Sequence, residues 1–409
     1  MAMKYLKKAH NYILVAVFVV SLISCNKNDS PVTPDYQHFI SNEIDTTITQ
    51  EEAIANFTNL SPDAVFFSAF IKYDTEVQKV IYKTTLKDQN IQASGLVCLP
   101  KTPGNYPVLS FQNGTNTLHS EAPTVASDDD LFRIIESIAS MGFIVTIPDY
   151  IGFGASSNLP HPYLDAKSST QCILDLLRAE KELETSSKVV AKSTKDLFIF
   201  GYSLGAWATM QVQKTIEKNY SSEFNLIASS CGAGPYSLEY MNNYILSLDA
   251  YPMPYFLAYL FNSYEVLGSF SNPLSDFFQE PYATDIPGLF DGEHSGGTIN
   301  AALTTQLSAL LTPEYRAQYS TGAKFKQQRS ALLANSIVAW NTTTPTKLFH
   351  GELDDYIPFS LSEKMISDFK AKGVSDTRIT LTLIPDADHT SGVYATGLQT
   401  ILWFLSLKK

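Results

Sequence analysis

The chain has 409 residues, of which 44 % are hydrophobic and 17 % charged, enough for a large domain or two with a substantial core. Its formal net charge is −12. That charge argues against a nucleic-acid partner and offers no attraction to an anionic lipid surface.

The first 24 residues read as an export signal. Lys4, Lys7 and Lys8 precede the apolar run YILVAVFVVSLIS, which is too short for a comfortable membrane span. The run ends at Leu22-Ile23-Ser24-Cys25, which resembles a bacterial lipobox. The resemblance implies that Cys25 carries diacylglycerol and that residues 1–24 are removed; a simple signal peptide or an uncleaved anchor is the alternative. Residues 25–48, beginning CNKNDSPVTPD, then form a polar tether, and the folded domain spans 49–409. Asn26 stands where an aspartate commonly retains lipoproteins in the inner membrane. The expected location is the cell envelope at the outer membrane, with membrane contact through the lipid anchor only. Cys98, Cys172 and Cys231 lie in or beside apolar segments without metal-ligand spacing. Export permits a disulfide among them, and three buried free thiols fit equally well.

From about residue 78 the elements alternate. VQKVIYKTTL and IQASGLVCLP read as two strands joined at Asp88-Gln89-Asn90. YPVLSFQNG is a strand ending in a glycine turn. DLFRIIESIAS places Leu131, Ile134, Ile135 and Ile138 at helical spacing, and Gly142 stops it. FIVTIPDY is a strand, QCILDLLRAEKEL a helix, DLFIF a strand, LGAWATMQVQKTIEKN a helix and FNLIASSC a strand. TKLFHGE, SLSEKMISDFKAKG, RITLTLIP and GVYATGLQTILWFLSL then give strand, helix, strand and helix. Such alternation predicts an α/β protein with a mostly parallel, doubly wound sheet and helices on both faces.

One interval is too long. Residues 232–345 separate two strands by 114 residues, whereas a crossover unit needs about 30. The surplus predicts an inserted helical subdomain. Residues 251–278 hold nine aromatics: Tyr251, Tyr255, Phe256, Tyr259, Phe261, Tyr264, Phe270, Phe277 and Phe278. Pro252, Pro254 and Pro273 divide the segment. These rings fit a packed helical core, a cap whose inner face lines a pocket, or both.

The stretch LFIFGYSLGAW carries the chemistry. Gly201-Tyr202-Ser203-Leu204-Gly205 follows a buried strand, Leu197–Phe200, and opens a helix with Leu204, Trp207, Ala208 and Val212 at helical spacing. A strand, sharp turn and helix are what a nucleophile elbow needs, with glycine on both sides because flanking side chains would collide. The same placement puts free N–H groups beside Ser203. An ordinary strand-to-helix turn is the bland alternative. A serine nucleophile needs a base, and the base needs an orienting carboxylate. Three histidines follow Ser203: His294 in the insert, His350 at a strand end where it shapes the turn, and His389 after the last strand, the expected place for the base. Asp354 and Asp355 share the loop after the penultimate strand, and only one can face an imidazole.

GYSLG, HGELDDYIP, ADHTSG and PDYIGFGASSNLPHPYL together resemble the α/β-hydrolase superfamily, and within it the secreted bacterial and fungal lipases and carboxylesterases with a helical cap. The resemblance spans roughly residues 75–409. It implies the α/β-hydrolase fold and puts the acid at the fifth position of HGELDDYIP, Asp354. It implies oxyanion donors at Leu204 and in the FQNGTNT loop at Gly114 or Thr115, with Asn113 in place of the usual histidine. Asp149 in PDYIGFGASS is given no chemistry.

The expectation is thus a lipid-anchored serine hydrolase acting on small acyl esters through Ser203, His389 and Asp354 and an acyl-enzyme. No metal or organic cofactor is implied. A carbohydrate esterase removing acetyl or feruloyl groups, a serine peptidase of the same fold, and a non-enzymatic binding lipoprotein are the competing readings.

Overall fold

The computed structural model describes residues 36–185 and 188–409; the export signal, Cys25 and the first part of the expected tether lie outside them. Among the described residues nine strands form one sheet: β1 (Phe39–Ile48), β2 (Thr75–Leu86), β3 (Gln89–Pro100), β4 (Gly104–Gln112), β5 (Ile144–Pro148), β6 (Ala191–Tyr202), β7 (Asn225–Gly232), β8 (Thr346–Gly351) and β9 (Ile379–Ile384). Their order is β1-β2-β3-β5-β4-β6-β7-β8-β9. The β1, β2, β3 and β5 neighbours pair antiparallel, and β5-β4-β6-β7-β8-β9 is wholly parallel. This is the mostly parallel, doubly wound α/β architecture anticipated from the alternating elements, and it agrees with the fold that the family resemblance implies.

The run Leu197-Phe198-Ile199-Phe200 shows why β6 sits in the middle. Leu197 and Ile199 face one core, with helices α3 (Ala166–Leu183) and α4 (Leu204–Thr215). Phe198 and Phe200 face the other, with α1 (Gln50–Leu60), α2 (Asp130–Ser137) and α13 (Ser391–Leu407). Alternate side chains point to opposite faces of a strand, so an unbroken apolar run is stable only where both faces are covered. Phe198 meets Phe143 and Phe404 at ring distances of 5.5 and 5.0 Å.

Three expectations need correction. Residues 39–48, assigned to the tether, form the edge strand β1, held because Thr46, Thr47 and Ile48 pair with Val77, Glu76 and Thr75. The Glu182 carboxylate also accepts from the N–H groups of Gln37, His38 and Phe39 at 3.1, 2.9 and 2.7 Å. The folded region therefore begins before residue 49. The β2–β3 turn lies at Lys87-Asp88 rather than 88–90: both residues have positive φ, 50° and 61°, as the tight turn compatible with strand twist requires. The helix expected to reach residue 219 ends as α4 at Thr215, and a wider π turn, Ile216–Tyr220, completes it. A capping box went unread in the sequence: Thr49 Oγ1 accepts from the Glu52 N–H, and Glu52 returns the contact to the Thr49 N–H, starting α1.

Between β7 and β8 run seven helices: α5 (Leu238–Leu246), α6 (Pro254–Leu267), α7 (Tyr282–Leu289), α8 (Gly296–Ala302), α9 (Leu307–Leu310), α10 (Pro313–Gln318) and α11 (Lys326–Asn335). Pro254 opens α6 at its first turn, where its missing N–H costs nothing. Phe261 stacks on Phe277 at 4.6 Å and edges against Tyr315, so most of the aromatics form this segment's own core. α12 (Phe359–Ala371) follows β8. Among the described residues Cys98, Cys172 and Cys231 are buried and form no disulfide. Among the described residues no helix is long and apolar enough to cross a membrane.

Candidate active site

The turn after β6 is strained. Ser203 has φ 55° and ψ −123°, a conformation that costs a non-glycine residue about 1–3 kcal/mol. Its neighbours hold it there. The Ser203 N–H donates to the Gly232 carbonyl at 2.8 Å, and the Ser203 carbonyl accepts from the Ala206 N–H at 3.0 Å. A Cβ on Gly201 would strike the Gly205 carbonyl, and one on Gly205 would strike the Gln112 carbonyl. Glycine is thus required on both sides because α4 and the loop after β4 press against the turn.

Three side chains from three separate loops meet here. His389 Nε2 lies 3.0 Å from Ser203 Oγ, and His389 Nδ1 lies 2.7 Å from Asp354 Oδ2. A carboxylate only accepts, so Nδ1 carries the hydrogen and Nε2 is free to accept from the serine. The Asp354 side chain is fully buried, and its Oδ1 accepts from the N–H groups of Tyr356 and Ile357 at 3.0 and 2.9 Å. Tyr202 and Tyr356 flank the imidazole at ring distances of 5.3 and 4.9 Å. Burial and the nearby carboxylates of Asp354 and Asp388 push the Tyr202 hydroxyl far above its ordinary range, so it stays neutral. Asp355, the alternative acid, is exposed. His294 lies in the insert, 2.8 Å from Asp291. His350 is buried behind the acid loop, its Nε2 2.9 Å from the Ile357 carbonyl and its Nδ1 2.7 Å from Ser362 Oγ.

The N–H groups of Leu204, Gly114 and Thr115 make no hydrogen bond to another described residue. Tyr150 OH donates to the Asn113 carbonyl at 3.3 Å, and Thr115 Oγ1 pairs with Tyr163 OH at 3.0 Å, which anchors the loop carrying two of them. A Cβ on Gly114 would meet open space. Asp149 is buried and accepts from Ser94 Oγ, Thr124 Oγ1 and the Thr124 N–H, all within 2.8 Å. It ties down the glycine-rich loop that follows β5.

Ser203 lines a narrow apolar cleft. Tyr163, Leu164, Leu204 and Ile357 line it from the sheet side, and Leu238, Met241, Ile245, Tyr251, Phe256 and Leu260 from the insert. The sequence reading missed the α5 contribution, although Leu238, Met241, Asn242 and Ile245 follow one helical face. Tyr259 does not line this cleft. It stacks between Tyr163 and Phe290 at 4.4 Å from each.

The secretory lipase family profile matches residues 116–406. Among solved structures, the fold is similar to a candidate hydrolase of Legionella pneumophila (24 % identity, TM-score 0.81, covering 91 % of this chain and 98 % of that one). It is also similar to the rice cell wall degrading esterase LipA of Xanthomonas oryzae (23 %, TM-score 0.75, 91 % and 98 %) and to Candida antarctica lipase A in its closed state (18 %, TM-score 0.63, 90 % and 81 %). A search of curated proteins finds no match. At such identities the solved structures speak for the fold, and the profile, which spans well over half the chain, speaks for the chemistry. The chain belongs to the secretory lipase family and is an exported carboxylic ester hydrolase of the α/β-hydrolase fold.

Proposed function

We propose that Ser203 is the nucleophile, His389 the general base and Asp354 the carboxylate that holds the imidazole in its Nδ1–H tautomer. The observation that carries the reading is the unbroken run of hydrogen bonds from Ser203 Oγ through His389 to Asp354 at the mouth of an apolar cleft. Ser203 Oγ attacks the ester carbonyl as its proton passes to His389 Nε2. The carbonyl oxygen becomes an oxyanion accepting from the Leu204 N–H and an N–H of Gly114 or Thr115. Collapse breaks the carbon–oxygen bond, and His389 returns the proton to the departing alkoxide, leaving an acyl-enzyme and a free alcohol. His389 then takes a proton from water, hydroxide adds to the acyl carbon, and Ser203 leaves with that proton as the acid departs. The insert covers the site as a cap, and its α5 and α6 form the acyl wall. The test is Ser203→Ala, assayed on p-nitrophenyl esters from acetate to palmitate beside an aminoacyl amide. The variant should fold and lose on the order of 10⁶ in kcat. Retention of a tenth of the activity, or preference for the amide in the native enzyme, would sink the reading.

The proposal extends to location. Cys25 at the end of its lipobox-like run is the lipid attachment point, and the chain is tethered at the outer membrane. One acyl chain anchors only marginally, so the two chains of the diacylglycerol, usually joined by an amide-linked third, give stable attachment. Cys25→Ser should release the protein into the soluble fraction or leave its precursor uncleaved. An unmodified mature N-terminus at another residue, found by mass spectrometry, refutes the anchor.

A further inference from the structure

Behind the acid loop lies a second histidine, which plays no part in the proton transfers of the mechanism. His350 is the penultimate residue of β8, and its side chain is fully buried, as is that of Asp354. Its imidazole spans the loop from behind. Nε2 lies 2.9 Å from the Ile357 carbonyl and 3.5 Å from Asp354 Oδ2, while Nδ1 lies 2.7 Å from Ser362 Oγ on α12.

The protonation pattern follows from the partners. The Ile357 carbonyl can only accept, so Nε2 carries a hydrogen. Burial disfavours the charged ring and pushes its pKa down against the pull of Asp354, so Nδ1 is bare and Ser362 donates to it. The Ile357 carbonyl therefore fixes the tautomer, and the Ser362 hydroxyl, donating to the bare Nδ1, holds the ring's orientation. The single Nε2–H then points at the Ile357 carbonyl beside the carboxylate oxygen that receives His389.

We infer that His350, with Ser362 behind it, is a positioning residue that locks the Asp354–Ile357 turn and keeps Asp354 Oδ2 aimed at His389. Two features support this beyond simple packing. The residue whose carbonyl His350 grips, Ile357, is the one whose N–H caps Asp354 Oδ1 at 2.9 Å. The positive edge of the imidazole also faces Oδ2, which the backbone donors to Oδ1 leave to His389 alone. A small shift of Asp354 turns the His389 ring, and misplacement of a catalytic group by about 1 Å can cost on the order of 10² in rate.

This inference rests on the Ser203–His389–Asp354 reading, and the experiment separates the two. His350→Leu keeps the volume and removes both contacts; His350→Gln restores an N–H at the Nε2 position; Ser362→Ala removes only the hydroxyl that holds Nδ1. Each is compared with Asp354→Asn for kcat and KM on p-nitrophenyl butyrate and for the downfield proton resonance of the His389 Nδ1–H. His350→Leu should lower kcat on the order of 10²-fold with KM within about twofold and displace the resonance, and His350→Gln should recover most of both. Should the leucine variant fail to fold, Ser362→Ala carries the test, with a several-fold lower kcat and a displaced resonance. Folded variants with lowered Tm but native kcat and resonance overturn the inference and leave His350 a packing residue. An Asp354→Asn enzyme with native kcat overturns the triad reading itself.

Discussion

The hydroxyl of Tyr251, in the insert, donates at 3.0 Å to the backbone carbonyl of Tyr356, in the acid loop. The N–H of the same Tyr356 donates to Asp354 Oδ1. One backbone residue thus joins the insert to the carboxylate. Burial holds the Tyr251 hydroxyl in its neutral, donating form. Tyr251→Phe keeps the ring and strands a carbonyl, at a cost of about 1–3 kcal/mol. Calorimetry should show a lower Tm, and kcat should fall by a common factor for acetate and longer esters. Native values of both would show that this bond joins nothing of consequence.

The two adjacent aspartates should separate by kinetics. Asp354 is buried against His389, and Asp355 is exposed. Asp354→Asn should cost on the order of 10⁴ in kcat by favouring the wrong tautomer. Asp355→Asn should stay within a few-fold of wild type. The reverse ranking on p-nitrophenyl acetate would move the acid by one residue.

Truncating the acyl wall should act on the chain and leave the chemistry alone. Phe256 and Met241 line the cleft with Ser203. Alanine at either should leave acetate turnover near wild type, with a loss in kcat/KM that grows with acyl length, up to ~0.8 kcal/mol for each methylene that loses its apolar contact. Tyr259→Ala provides the contrast: it removes a ring stacked on Tyr163 and Phe290, so it should lower Tm and affect all esters alike. A uniform loss from the Phe256 and Met241 variants would make the insert a lid without an acyl role.

Glu136, on α2, should make stability depend on pH. Its carboxyl is fully buried without a hydrogen-bond partner, and burial pushes its pKa from 4.5 to about 8, with Asp45 and Asp128 adding to the rise and Arg133 and Lys79 opposing it. In the unfolded chain the group ionises near 4.5, so between the two values folding retains a proton that unfolding releases. Its contribution is complete below about pH 4.5 and is lost as pH rises through about 8. Glu136→Gln cannot ionise, so its Tm should fall less than wild type between pH 5 and pH 9. Parallel Tm profiles for the two proteins would contradict the buried, protonated state.

The central elements were legible because their signals are local. Leu197–Phe200 read as a doubly covered strand, and Gly201-Tyr202-Ser203-Leu204-Gly205 as a turn tolerating no side chain at its outer positions. Both signals are carried by residues within about one helical turn of one another. β1 was not legible, because an edge strand with only Ile48 buried resembles a tether until its partner is known. The α5 wall was not legible, because its apolar face, Leu238, Met241 and Ile245, spans only about two turns and includes Asn242.

What the sequence determined by itself was the alternation of strands and helices, the elbow at Ser203, the order in which candidate partners follow it, and the excess length before β8. What only tertiary structure decided was proximity. Ser203 and His389 are 186 positions apart, and Asp354 and His389 are 35 apart. Whether they touch depends on β6, β7, β8 and β9 lying side by side and parallel, so that the loops after β6, β8 and β9 open on one edge of the sheet. The choice of Asp354 over Asp355, the place of His350 behind it, and the removal of Tyr259 from the cleft are likewise matters of side-chain direction. Periodicity along a chain reports which face of its own element a residue occupies; what that face meets is set by elements distant in sequence, through packing that no local pattern encodes.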